Sequence, residues 1–303
     1  MRMLIASCTL LCFAASLHAA PKDVAIPGGD QVKKTTQVYK KVGDVELKMF
    51  IVTPADHKAT DKRPAIIFFF GGGWTGGSTG QFEKQSEYFA ARGMVTMAAD
   101  YRVKSRQNVT PDKCVMDAKS AIRWARANAG KLGIDPDRIV AAGGSAGGHI
   151  AAATGTVPGY EEEGEDVKIS SVPNAMVLFN PVLNTTVPGW GDEKKGAGIV
   201  ARFGDHAEKL SPEHHVKKGT PATLVIHGKA DSTVPFAQAE NFAKAMKAAG
   251  NRCDVAAFDG QGHGFFNYGR GDNAMFVKTT VAADKFLASI GYLKGEATLV
   301  AQK

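Results

Sequence analysis

Cysteine is scarce in this chain: four occur in 303 residues, and two of them, Cys8 and Cys12, fall within the first twenty. The remaining pair, Cys114 and Cys253, is too small a set for a disulfide-stapled scaffold. With no Cys-x-x-Cys and no Cys/His cluster, a zinc or dithiol redox motif is excluded. Whether those two pair in an oxidising compartment or stay as inert thiols is left open. Long apolar runs are equally rare. The one that stands out, residues 4–17, is shorter than the roughly 20 residues a bilayer-spanning helix needs, so no stable membrane anchor is expected. Despite a net charge of +7, Lys and Arg are scattered, with no basic stripe interleaved with aromatics, which argues against a nucleic-acid partner. No internal repeat and no second domain are visible. Hydrophobic content of 44% with 22% charged residues excludes a disordered chain.

What is present begins with a leader. Met1-Arg2-Met3 is a short basic start, an apolar segment follows, and Ala19-Ala20 supplies small residues before Pro21. The pattern is that of a secretory signal peptide over residues 1–20, cleaved near Ala19 or Ala20, so a secreted or periplasmic protein is expected. Residues 21–35 read as a polar linker.

Residues 37–42 and 45–52 alternate around Gly43-Asp44, which predicts an antiparallel hairpin. Residues 64–70 form a continuous apolar run, suited to a strand buried on both faces. Helical patterns follow at 81–92, 111–128, 236–249 and 275–290, and strand patterns at 94–99, from 139, and at 175–179, 222–226 and 253–258. Strand and helix alternate from about residue 63 to 290. That rhythm predicts an α/β fold with a doubly wound, mostly parallel sheet, forming a single domain over 36–293 with a C-terminal tail at 294–303. Two segments interrupt it. The acidic run at 161–166 reads as a solvated loop face, with a calcium site as the alternative. Residues 184–218 read as a short cap-like insertion or a surface excursion.

The chemistry centres on Gly143-Gly144-Ser145-Ala146-Gly147, which follows an apolar strand and opens an Ala-rich helix. A serine on so sharp a strand-to-helix turn is held in a strained conformation with chain packed on both sides. Residues two before and two after it must therefore lack a Cβ. The turn lifts the hydroxyl above the sheet and sets the Ala146 N–H beside it at a helix N-terminus.

A nucleophilic serine needs a base, and the base needs an acid to fix its tautomer. Reactive groups in open α/β sheets sit at the carboxyl ends of strands. Asp231 follows the 222–226 strand and His263 follows the 253–258 strand, giving the order Ser145, Asp231, His263. Asp259 is the rival acid, four residues before His263 on the same loop. His149, one turn past the serine, is expected to point away from the hydroxyl and to pack. His227 is expected to be structural, and His206, His214 and His215 to be exposed or to touch substrate. Gly71-Gly72-Gly73 follows the first buried strand and lets backbone approach a substrate closely. The Ala146 N–H is one candidate donor to an oxyanion, and the Gly71-Gly72-Gly73 amides can supply others.

Gly-Gly-Gly-Trp after one strand, Asp-Tyr-Arg after the next, Gly-Gly-Ser-Ala-Gly-Gly-His, His-Gly-x-x-Asp and Gly-x-Gly-His-Gly-Phe together resemble the α/β-hydrolase superfamily. The similarity spans residues 48–293 and is greatest to the esterase/lipase branch that includes acetyl xylan and feruloyl esterases. It implies Ser145 as nucleophile with Asp231 and His263 as partners, an oxyanion hole from Gly72, Gly73 and Ala146, no cofactor, and an ester substrate that can be carbohydrate-linked. One departure is visible. The family usually reads His-Gly-Gly-Gly-Trp, and Phe70 stands where the loop-orienting histidine would be. The triad is untouched, so activity is expected to survive. Two other readings stand beside the esterase: a serine peptidase of the prolyl oligopeptidase type, which commonly carries a propeller domain not seen here, and a non-catalytic binding protein on a hydrolase scaffold.

Overall fold

The computed structural model describes residues 23–300; the expected leader, with Cys8 and Cys12, lies outside them. Eight strands form one sheet: β1 Lys33–Val42, β2 Val45–Thr53, β3 Arg63–Phe69, β4 Val95–Ala99, β5 Ile134–Gly144, β6 Ala175–Phe179, β7 Ala222–Gly228 and β8 Cys253–Phe258. Their spatial order is β1-β2-β4-β3-β5-β6-β7-β8. The β1–β2 and β2–β4 pairs are antiparallel and every other pair is parallel. The helices are α1 Glu83–Ala91, α2 Lys104–Gln107, α3 Pro111–Ala127, α4 Ala129–Leu132, α5 Ala146–Thr156, α6 Glu193–Phe203, α7 Ala237–Ala248 and α8 Ala274–Ser289.

The apolar run in β3 is explained by the layers around it. Ala65, Ile67 and Phe69 face one core with Val115, Ala118 and Ile122 of α3 and Ile150 of α5. The alternate residues Ile66 and Phe68 face a second core with Phe89 of α1 and Phe276 and Phe286 of α8. A central parallel strand has no solvent face, so its sequence carries no polar alternation. The edge strands differ: β1 is exposed over its first six residues, and β8 is nowhere fully buried.

Two sequence expectations change. The acidic run is a solvated face only in part: Glu163 and Asp166 are exposed, but the other three carboxylates are paired. Glu162 accepts from Lys40 Nζ and Arg102 Nη2, each at 2.6 Å, while Glu161 takes Lys119 Nζ at 3.0 Å and also pairs with Arg123, as does Glu165. Asp117 on α3, fully buried, pairs with both Lys40 and Arg102. Buried charges require partners, and this loop supplies them to the cations of β1 and α3. The linker is shorter than expected, since β1 starts at Lys33. The described part of the C-terminal tail packs against the domain: Leu299 is buried, and Arg92 Nη2 donates to Lys294 and Gly295 oxygens at 3.1 Å.

Candidate active site

The turn between β5 and α5 puts Ser145 at φ +56° and ψ −120°, a region that L-residues rarely occupy. The surrounding glycines are there for space. A Cβ on Gly143 would lie 2.4 Å from the Gly147 oxygen, and one on Gly147 would lie 2.1 Å from the Phe69 oxygen. Backbone hydrogen bonds hold the turn: Ser145 N–H donates to the Phe179 oxygen at 2.9 Å, and His149 N–H to the Ser145 oxygen at 2.9 Å.

Loops at the carboxyl ends of β7 and β8 deliver the partners. His263 Nε2 is 2.9 Å from Ser145 Oγ, and His263 Nδ1 is 2.7 Å from Asp231 Oδ2. Asp231 is held firmly. Its Oδ1 accepts from the Thr233 and Val234 amides at 2.8 and 2.9 Å, and its Oδ2 also lies 3.3 Å from His227 Nε2. Burial alone would raise the Asp231 carboxyl. The hydrogen bonds from His227, His263 and Val234 outweigh it and hold the group well below the ordinary carboxylate range. The acid is therefore an anion wherever the site is folded and near neutral pH. Asp259, the rival, is exposed and paired with Lys229 at 2.8 Å.

Gly72 and Gly73 follow β3 with φ of +128° and +62°, and Trp74 after them also has a positive φ of +59°. Neither glycine amide has a hydrogen-bond acceptor among the described residues, and both line the Ser145 cleft. In place of the family's usual histidine, Phe70 stacks on Tyr101 with ring centroids 4.1 Å apart. Tyr101 Oη donates to the Phe70 oxygen at 2.6 Å, Gly71 N–H donates to Gln81 Oε1 at 2.6 Å, and Gln81 Nε2 donates to Asn267 Oδ1 at 2.8 Å. The loop is thus braced from both ends without an imidazole.

His149 points away from the hydroxyl into the core. Trp74 Nε1–H donates to its Nδ1 at 3.2 Å, and its Nε2 lies 2.8 Å from the Leu210 oxygen, which assigns the Nε2–H tautomer. The ring is fully buried, and desolvation pushes its pKa down to about 4 from 6.5, against a smaller opposing effect of the Leu210 hydrogen bond. The unfolded state therefore binds this proton more tightly than the folded state. Stability from the neutral ring is complete above pH 6.5 and drains away as pH falls toward 4. Melting temperature measured across that window is expected to fall less steeply in His149→Gln than in the wild type.

The 184–218 segment contains one real helix, α6, whose Phe203 packs edge-on to Trp74 with centroids 4.8 Å apart. It buttresses the Gly72-Gly73-Trp74 loop. The excursion's histidines turn elsewhere: His206 to Tyr160 Oη at 2.8 Å, His215 to the Lys209 oxygen at 2.8 Å, and His214 to Asn184 at 3.4 Å. None of the three lines the cleft that holds Ser145. His227 is buried and donates from Nε2 to the Val234 oxygen at 3.0 Å. The sequence reading overlooked Gln81, Asn180, Asn267 and Arg270, all of which line the cleft with Ser145 and His263. Asn180 was reachable, because it stands immediately past β6, and its Oδ1 accepts from the Gly264 amide at 3.1 Å beside His263. No spacing marks the others.

Serine on a strained strand-to-helix turn, with Asp and His on the next loops of a doubly wound sheet, defines an α/β-hydrolase of the esterase/lipase branch. Residues 49–246 match the BD-FAE family model, and the chain belongs to that family. It is 32% identical to Esterase LipC of Mycobacterium tuberculosis over 74% of this chain and 58% of that protein. It is 28% identical to the same organism's probable carboxylic ester hydrolase LipM, over 78% of this chain and 56% of that one. The chain thus spans a little over half the length of these curated relatives. Among solved structures, the apo form of Thermogutta terrifontis esterase 2 superposes with a TM-score of 0.83 at 53% identity, covering 90% of this chain and 98% of that one. The butyrate-bound form of that esterase gives a TM-score of 0.82.

Proposed function

We propose that this chain is an exported serine carboxylester hydrolase that works through an acyl-enzyme. The observation that carries the reading is the unbroken hydrogen-bond chain Ser145–His263–Asp231, opening on a cleft of about 530 Å³ beside the free amides of Gly72 and Gly73. Ser145 Oγ attacks the ester carbonyl while His263 Nε2 takes its proton, and anionic Asp231 stabilises the imidazolium. Charge that develops on the carbonyl oxygen meets the N–H groups of Gly72, Gly73 and Ala146. His263 returns the proton to the departing alkoxide, then deprotonates a water that attacks the acyl-enzyme and releases the acid. The residues of this sequence need no cofactor.

Short acyl esters of carbohydrates are the substrate class we favour. Propionate- and butyrate-bound forms of Thermogutta terrifontis esterase 2 support a short acyl group, and the resemblance to acetyl xylan and feruloyl esterases supports a bulky alcohol. Export rests on the leader at residues 1–20. That same esterase is phosphorylated by paraoxon. One equivalent of paraoxon is expected to abolish turnover of p-nitrophenyl butyrate by the mature protein, with the added mass on the peptide containing Ser145. Labelling elsewhere with turnover retained would refute the assignment.

A further inference from the structure

His263 stands between two clefts. One holds Ser145; the other, of about 570 Å³, is lined by residues that include Gln261, Phe265, Met275 and Lys278, and both contain His263 and Arg270. On the ester-hydrolase reading, His263 Nε2 must protonate the departing oxygen, so the alcohol half of the substrate lies within hydrogen-bond reach of that atom. The carbonyl oxygen lies away from it, toward Gly72, Gly73 and Ala146. The alcohol therefore extends along the wall formed by His263, Gly264 and Arg270. Gly264 keeps that wall thin: at φ +73°, a Cβ there would sit 3.0 Å from Asn267 Nδ2 and 3.6 Å from Arg270 Nη2.

The charge on this wall is unbalanced. Arginines elsewhere are engaged: Arg106 with Asp100 at 2.7 Å, Arg138 with Asp135 at 2.7 Å, and Arg126 with backbone oxygens. Arg270 makes no ion pair or hydrogen bond through its side chain among the described residues, and Lys278 on α8 has no carboxylate partner either. No Asp or Glu lines the Ser145 cleft. The second cleft has one, Asp272, whose Oδ1 already accepts from the Ala274 amide at 2.9 Å. Arg202, the other loosely held arginine, lies on the opposite side, 3.4 Å from the Gly73 oxygen.

We infer that the alcohol half of the substrate carries a carboxylate, as in an acylated acidic sugar, and that Arg270, with Lys278 behind it, holds that charge. In the acylation step the bond from Ser145 Oγ to the acyl carbon forms and the bond from that carbon to the alkoxide breaks. The serine proton passes through His263 to the departing oxygen, and the product leaves as a hydroxy acid.

The test uses two acetyl esters of similar size, 4-acetoxybenzoate and neutral 4-acetoxybenzamide, and reads the ratio of their kcat/KM values. Arg270→Gln is expected to lower the ratio in favour of the anion by about three- to fivefold, the upper scale of one solvated charge pair. Arg270→Lys is expected to keep most of it, and Lys278→Gln to lower it less. In the wild type the ratio is expected to shrink as salt approaches 1 M, where the Debye length is about 3 Å. A ratio unmoved by Arg270→Gln, with both esters still hydrolysed, overturns the inference and leaves the esterase standing. Failure of the wild type on both esters overturns the esterase reading and this one with it.

Discussion

Ser145→Ala is expected to cut kcat for p-nitrophenyl acetate by roughly 10⁴-fold or more, leaving only what the oxyanion donors and binding supply. The loss must be separated from a loss of fold, and the turn offers the means. Ser145 sits at φ +56°, a strained conformation that alanine inherits and glycine does not. Such strain costs on the order of 1–3 kcal/mol. Ser145→Gly is therefore expected to be as inactive as Ser145→Ala and yet to melt higher than the wild type, by a few degrees for about 1 kcal/mol. An inactive variant of raised stability assigns the rate to the hydroxyl. Substantial turnover in both variants would remove Ser145 from the chemistry and return the peptidase and binding readings to consideration.

Asp231→Asn is expected to be nearly as damaging, about 10⁴-fold in kcat at neutral pH, for a reason specific to how the side chain is held. Oδ1 accepts from two backbone amides, Thr233 and Val234, so in the variant the amide oxygen must stay in that position. The Asn Nδ2 group then occupies the place of Oδ2, facing His263 Nδ1 and, at 3.3 Å in the native pair, His227 Nε2. A donor facing His263 Nδ1 forces the proton onto Nε2, where it meets the Ser145 hydroxyl instead of accepting from it. The measurement is steady-state kinetics with the native melting profile as control. A fall of only a few-fold would mean that His263 finds its tautomer by another route.

Much of the architecture was legible because buried parallel strands announce themselves. The 175–179 and 253–258 segments coincide with β6 and β8. The meeting of Ser145, Asp231 and His263 was legible for a related reason: a doubly wound sheet directs the carboxyl ends of β5, β7 and β8 to one edge, so the three could be chosen by position after a strand. What stayed hidden depends on pairings across long stretches of chain. The acidic residues 161–166 look like surface until Lys40, 122 residues before Glu162, is seen beside them. Gln81 and Asn267 are 186 residues apart, and neither belongs to a motif. Helix α6 is obscured by Gly196 and Gly198, and its purpose appears only when Phe203 is seen against Trp74.

The two thiols bear on how the native state is reached. Cys114 is buried on α3 and Cys253 starts β8; both are free, and burial pushes the Cys253 thiol up to about 12 and the Cys114 thiol higher still. Neither is a thiolate at physiological pH, so neither is a competent partner for exchange or oxidation. Among the described residues no covalent crosslink has to form before the β-sheet closes. The fold of the described residues therefore calls for neither an oxidant nor a disulfide isomerase. Protein refolded with and without reductant should show the same melting temperature and the same turnover.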